Sequence, residues 1–268
     1  MDPFKDKVVI MTGGSSGIGR ALCEELGRRG AVVTVADINT EGARQVASAI
    51  AKSGGRSSAV HVDVARAEDV QKLVEETAST HGRLDYMFNN AGIGMAGEVC
   101  DMDFEHWRRI LDVNLWGVIY GTTTAYQVMI KQGFGNIVNT ASVAGLIPIP
   151  METAYSTTKH AVVGLSTSLR AEAAQLGVKV SVVCPGFIRT GIFDAATCFG
   201  AKRQDVISNL SSIKMMDATD CARVILRGVA RNRAIITVTP FARFVWWLYR
   251  LRPTLLAPLE RKIIRCFR

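Results

Sequence analysis

Val8-Val-Ile-Met-Thr-Gly-Gly-Ser-Ser-Gly-Ile-Gly-Arg20 is the stretch that decides the fold of this 268-residue chain. The short apolar run Lys7 to Thr12 reads as a strand that ends in a glycine-rich turn. Glycines at 13, 17 and 19 allow a tight turn and a close backbone approach. Helical spacing over 20–29 then sets a helix N-terminus against the turn, with free N–H groups and the positive end of its dipole. Strand, glycine turn and helix start, in that order, form a seat for a pyrophosphate. Asp37 ends the next apolar run, 31–36, and stands 18 residues after Gly19. A carboxylate there hydrogen-bonds ribose hydroxyls and repels a 2′-phosphate, and Ser16 and Ile38 beside it are not basic. NAD is therefore expected in preference to NADP, with Arg44 the nearest base on the following helix.

The rest of the chain alternates. Helical spacing covers 41–52 and 68–80, where Val70, Leu73, Val74 and Thr77 share one stripe, and a long region around 104–131. Strands are expected at 58–62, 84–88, 136–139, 178–183 and 234–238. Such alternation implies an α/β fold, a parallel sheet of about seven strands with helices on both faces. Neither a repeat nor a low-complexity linker interrupts it. One domain is expected over 1–239, followed by a C-terminal extension, 240–268; the least regular internal stretch is 188–216.

Composition narrows the function. At 48% hydrophobic residues with 24 glycines, the chain can bury the core of one large α/β domain. No stretch approaches the ~20 apolar residues of a membrane-spanning helix. The polar start does not read as a signal peptide and leaves little room for a transit sequence, so a cytoplasmic protein is expected. Six scattered cysteines and four histidines show no ligand spacing, so no metal is expected. Residues 240–268 carry +6 of the net +8. The main body thus lacks a basic stripe, and nucleic acid is not an expected partner. Within the tail, 241–251 is aromatic and too short to span a bilayer. Beyond Pro253 and Pro258, Leu259, Ile263 and Phe267 share a helical stripe, with Arg261, Arg265 and Arg268 mostly elsewhere. That pattern suits a peripheral membrane contact through residues 241–268, packing over a neighbouring subunit, or a cover on the substrate pocket.

Tyr155 and Lys159 stand one helical turn apart. An ammonium beside a phenol is expected to lower the phenol's pKa from about 10. A tyrosine so tuned can take a proton from an alcohol or give one to a carbonyl. The spacing alone is common; its weight comes from the company it keeps.

Taken together, the residues resemble the short-chain dehydrogenase/reductase family, in its shorter single-domain branch, over roughly residues 5–240. The resemblance implies a Rossmann-like doubly wound sheet. It assigns Gly13, Ser15, Ser16, Gly17, Ile18 and Gly19 to the cofactor turn, with Asp37 and Ile38 beside the ribose. Asp63-Val64 resembles the pair that contacts adenine. Asn89-Asn90-Ala91-Gly92 resembles the segment after the fourth strand, placing Asn90, Ala91 and Gly92 at the cofactor. Pro185-Gly186, with Ile188 and Thr190, resembles the segment that holds the nicotinamide amide. Asn114 resembles the asparagine that anchors a catalytic water through the helix backbone. Ser142, 13 residues before Tyr155, resembles the catalytic serine. Thr140-Ala141 replaces a more usual Ile-Ser and leaves Ser142 in register. By the same resemblance Tyr155 is the acid/base, Lys159 also binds the nicotinamide ribose, and a homodimer or homotetramer forms on the long helices around 104–131 and 153–176.

The expected function is NAD(H)-dependent interconversion of a hydrophobic secondary alcohol and its ketone, steroid-, lipid- or terpenoid-like. The candidate pocket segments 94–96, 144–151 and 187–199 are apolar, with Glu152 and Arg189 nearby. The alternative is a non-catalytic dinucleotide sensor acting through its tail, against which an intact Ser142, Tyr155 and Lys159 argue. Met215 and Met216 suit either core or a substrate lid.

Overall fold

Strand β1, Val8–Thr12, is buried along its whole length in the computed structural model, which describes residues 2–199, 215–258, 261 and 264. Its side chains alternate between two cores: Val9 and Met11 face one layer of helices, Val8 and Ile10 the other. The further strands, in chain order, are β2 (Val32–Asp37), β3 (Arg56–His61), β4 (Tyr86–Asn89), β5 (Met95–Ala96), β6 (Gly135–Thr140), β7 (Val178–Cys184), β8 (Thr197–Cys198) and β9 (Ile235–Thr237). Seven of them form one parallel sheet in the order β3-β2-β1-β4-β6-β7-β9, and β5 pairs with β8 apart from it.

The helices are α1 (Gly17–Arg28), α2 (Thr40–Lys52), α3 (Ala67–His81), α4 (Phe104–Leu111), α5 (Gly117–Gln132), α6 (Thr153–Ala173), α7 (Ile192–Ala195), α8 (Ala218–Ala230) and α9 (Pro240–Leu251). Helices α1, α2 and α8 cover one face through residues such as Leu22, Leu26, Ile50 and Ile225. Helices α3, α5 and α6 cover the other, and the stripe Val70, Leu73, Val74 and Thr77 is the buried side of α3. Each large apolar side chain buried in these layers contributes ~1.5–3 kcal/mol. The sheet is the one expected. Helix α1 starts at Gly17 rather than Arg20, because Arg20 N already donates to Ser16 O (3.0 Å).

Strand order reverses between β1 and β4, which opens a crevice at their carboxyl ends where sheets of this kind bind ligands. The amino ends are closed. There Asp85, 5% exposed, accepts from Val8 N (3.0 Å), from the Arg83 guanidinium and from Lys7 Nζ (3.3 Å).

The helical region around 104–131 is one run to Gln132, interrupted by a π-turn at Asp112–Trp116 between α4 and α5. Helix α9 and the turn Pro253–Leu256 bury Ala242, Val245 and Leu256 against Val143, Val162 and Val182. The stripe Leu259, Ile263 and Phe267, with Arg265 and Arg268, lies outside the described residues, as does most of the irregular stretch, 200–214.

Candidate active site

Thr12 ties the two sides of the crevice together. Its Oγ1 accepts from Asn90 N (3.0 Å) and Ala91 N (3.2 Å) and donates to Phe88 O (3.3 Å). In return, Asn90 Nδ2 donates to Thr12 O and Gly13 O, both at 3.2 Å. The turn after β1 and the segment after β4 are thus one piece. Gly13 has φ +64°, and a Cβ there would lie 2.7 Å from Ala91 Cα, so no other residue fits. A Cβ on Gly19 would collide with Gly13 O.

Ser16 stands at the N-cap of α1 but makes no side-chain cap, so the first-turn amides are available to an anion. Asp37 Oδ2 accepts from Ser15 N (2.9 Å) and Oδ1 from Asn39 N (2.9 Å), which holds the carboxylate beside the turn with lone pairs to spare. Ile38 is exposed next to it. Asp63 Oδ1 accepts from Ala65 N (3.0 Å), and Val64 packs close to Gly117.

The segment after β7 reaches over the turn. A Cβ on Gly17 would lie 3.1 Å from Thr190 Cγ2. Pro185 O accepts from Val143 N (2.7 Å), Gly186 abuts Thr239, and Ile188 is buried and bridged to Met216. A cradle closed by glycines, an uncapped helix start and a carboxylate at the end of β2 fit a dinucleotide, its pyrophosphate on the turn and a ribose at Asp37.

The four residues expected to be catalytic meet at the carboxyl ends of β4 and β6. Ser142 is close enough to the Tyr155 phenol to lower its pKa by donating toward it, while Ser142 Oγ accepts from Ala144 N (3.2 Å). Lys159 is 3% exposed; its Nζ donates to Thr140 O (3.0 Å) and lies 5.5 Å from the Tyr155 ring centroid. Asn114 is fully buried in the π-turn, a distortion frequent at functional sites. Its Oδ1 accepts from Ile93 N (2.8 Å) and its Nδ2 donates to Ile93 O (2.9 Å). A Cβ on Gly92 would sit 3.2 Å from Asn114 Oδ1 and 3.5 Å from Lys159 Nζ, so Gly92 lies between the two polar groups. Beneath the site, Asn89 Nδ2 donates to Asn139 Oδ1 (2.8 Å) and Asn139 Nδ2 to Ser166 Oγ (3.0 Å), a buried polar floor.

Electrostatics correct one expectation. The Tyr155 phenol is pushed up rather than down: burial raises it, the negative charge of Glu152 adds to the rise, and Ser142 opposes it. The same loss of water pushes Lys159 down to about 8, and Thr140 O occupies its ammonium. Burial also raises Glu152 to about 7 and Cys184, at the end of β7, to about 12. Near neutral pH the site therefore holds a phenol and a thiol, with Lys159 and Glu152 both close to changing charge.

An apolar wall stands in front of Tyr155, made of Ile93, Met95, Met102, Trp107, Ile110 and Phe199. Met151, at φ +68°, accepts from Gly97 N (2.6 Å) and fixes this wall to the start of α6. His160 turns away and bonds Ser156 O (2.9 Å).

Periodicity and spacing did not reveal the Thr12 clamp, the Asn89–Asn139–Ser166 floor or Thr239. The one available signal was a hydroxyl residue closing β1 where the run is otherwise apolar.

The chain is similar in sequence and in shape to known proteins. The family described as short chain dehydrogenase matches residues 7–198. A 2,5-dichloro-2,5-cyclohexadiene-1,4-diol dehydrogenase of Sphingobium indicum B90A is 41% identical over 198 residues, 73% of this chain and 78% of the relative. A cyclohexanol dehydrogenase of Acinetobacter sp. SE19 is 40% identical over 188 residues, 70% and 75% of the two chains. The crystal structure of a short chain dehydrogenase/reductase from Burkholderia phymatum in complex with NAD superposes with a TM-score of 0.86 at 30% identity, covering 95% of this chain and 96% of that one.

Proposed function

The chain belongs to the short-chain dehydrogenase family, and from that premise we propose that it interconverts a hydrophobic secondary alcohol and its ketone, with NAD preferred to NADP. The observation that carries this reading is Tyr155 set beside Ser142 and the buried Lys159, against an apolar wall. NAD, when bound, would take up or release the hydride. The residues handle the proton. In oxidation the Tyr155 phenol first loses its own proton to solvent, and the phenolate then takes the alcohol's proton; in reduction the phenol gives its proton to the carbonyl oxygen. Ser142, whose Oγ accepts from Ala144 N, would turn its O–H from the Tyr155 oxygen to the substrate oxygen as negative charge develops there. Asn114, which faces Lys159 across Gly92, would hold a water that links Lys159 to solvent, so that the proton can leave.

The turn residues Gly13 to Gly19, with Asp37, Ile38, Asp63, Val64, Asn90, Ala91, Gly92, Pro185, Gly186, Ile188 and Thr190, would hold the dinucleotide. Asp37 supports NAD, since a 2′-phosphate would meet its carboxylate with no base at Ile38 to offset the repulsion. The NAD in the Burkholderia structure supports the same choice. The two dehydrogenase relatives, named for cyclic alcohols, support a ring-bearing member of the steroid-, lipid- or terpenoid-like class. We further infer a catalytic unit over 1–239 and an extension over 240–268. The setting is a cytoplasmic homodimer or homotetramer that touches a membrane only peripherally, through residues 241–268.

The test is NADH absorbance across a panel of cyclic secondary alcohols, ketones and sugars. Turnover confined to small polar sugars would sink the substrate class, and a higher kcat/KM with NADP the cofactor choice. NADH binding without any turnover would favour the sensor.

A further inference from the structure

Phe244, Trp247 and Leu251 stand at i, i+3 and i+7 on α9 and are 59, 57 and 63% exposed, while Ala242 and Val245 on the opposite side are buried. The Phe244 and Trp247 rings lie 6.5 Å apart, and Leu255 extends the apolar stripe beyond the helix end. By helix geometry Arg243 and Arg250 sit beside Trp247 around the axis. Neither they nor Arg252 has an ion-pair partner among the described residues. Residues 221–259 hold seven arginines and no Asp or Glu.

We propose that this face of α9 rests on an anionic lipid bilayer, with Phe244, Trp247 and Leu251 at the acyl boundary and the arginines on headgroup phosphates. It gives the peripheral contact proposed above for residues 241–268 a defined face and chemistry, and rests on that reading. No helix among the described residues is long and apolar enough to cross a membrane, so α9 lies along the surface. A second copy of the chain is the competing occupant. In a two-fold interface the patch meets itself, so Arg243 and Arg250 would approach like charges with no carboxylate on the helix to relieve them. Anionic headgroups turn the same charges into attraction.

Co-sedimentation of the full-length chain with vesicles of phosphatidylcholine, with or without phosphatidylglycerol, tests this. The wild type is expected to sediment with phosphatidylglycerol vesicles and to release as salt rises. The Phe244→Ser, Trp247→Ser double variant should bind about tenfold more weakly, and Arg243→Ser, Arg250→Ser should lose the preference for the anionic lipid. Thermal melting and NADH binding, read without vesicles, should match the wild type in both, which separates this question from the catalytic reading. Wild-type protein that stays in the supernatant overturns the proposal, as does undiminished sedimentation of the Phe244–Trp247 variant. A smaller oligomer for that variant in light scattering, with no vesicle binding by the wild type, assigns the face to a second copy.

Discussion

Asp85 and Lys159 occupy opposite ends of the sheet and are buried alike, at 5 and 3% exposure, yet their surroundings differ. At the amino ends Asp85 has Lys7, Arg83 and the Val8 amide, so its charge is answered from three directions. At the carboxyl ends Lys159 has, among the described residues, one backbone carbonyl, Thr140 O, and the ring of Tyr155 beneath its ammonium. A buried charge left with so few partners is costly to the fold. The contrast teaches that full pairing marks a structural charge, and that sparse pairing, close to a change of protonation, marks a site built for proton movement.

Tyr155→Phe is the most severe way to break the functional end. Turnover should fall about 10³-fold, with NADH binding and melting temperature near those of the wild type. Retained turnover would remove Tyr155 from its role. Lys159→Met sharpens the contrast: kcat should drop about 10²-fold while stability holds or rises, because a lone buried ammonium is replaced by an apolar side chain. A pH series carries a second signature. The unfolded chain keeps the lysine proton up to its ordinary value, 10.5, whereas the fold releases it at about 8. Wild-type stability should therefore gain from Lys159 as pH rises between those values, and the methionine variant should lack that slope. Asp85→Asn is the mirror image. It should cost about 2–3 kcal/mol, read by denaturant unfolding, and leave kcat of the folded fraction unchanged. An equal loss of kcat would erase the distinction between the two ends.

The smallest effect is expected at Glu152. Its charge raises Tyr155, so Glu152→Gln should move the rising limb of alcohol oxidation to lower pH, by less than about one unit. The folded wild type keeps a proton on Glu152 up to about 7 that the unfolded chain loses near 4.5, so stability falls as pH rises through that window. The glutamine variant should lose this fall; an unmoved limb and an unmoved slope would show that Glu152 does not act on the site.

The sheet was legible because β1 is a continuous apolar run and α3 carries an unbroken 3.6-residue stripe, and packing only confirms such periods. Ser142, Asn114 and the glycine turn were legible by their order along the chain, and the fold gathers them. The Tyr155 environment was not. Residue spacing places Lys159 near the ring, but the balance between its charge and desolvation depends on how many other side chains shut out water. Thr12 escaped notice because a threonine at a strand end is ordinary until its neighbours in space are known. The π-turn was hidden for a different reason: apolar spacing over 104–131 reads as helix whether or not one residue bulges.

That bulge makes chain length itself informative. A π-turn is an α-helix with one residue more than its hydrogen bonds require. Deleting any one residue between 112 and 116 would leave an unbroken helix of nearly the same composition and would turn α4 against α5 by about 100°. Trp107 and Ile110 would swing off the wall in front of Tyr155, and Asn114 would release Ile93. A one-residue gap at this point is thus a fuller inactivation than most substitutions. A relative that is shorter here by a single letter has, by that letter, given up the arrangement that Asn114 holds in place.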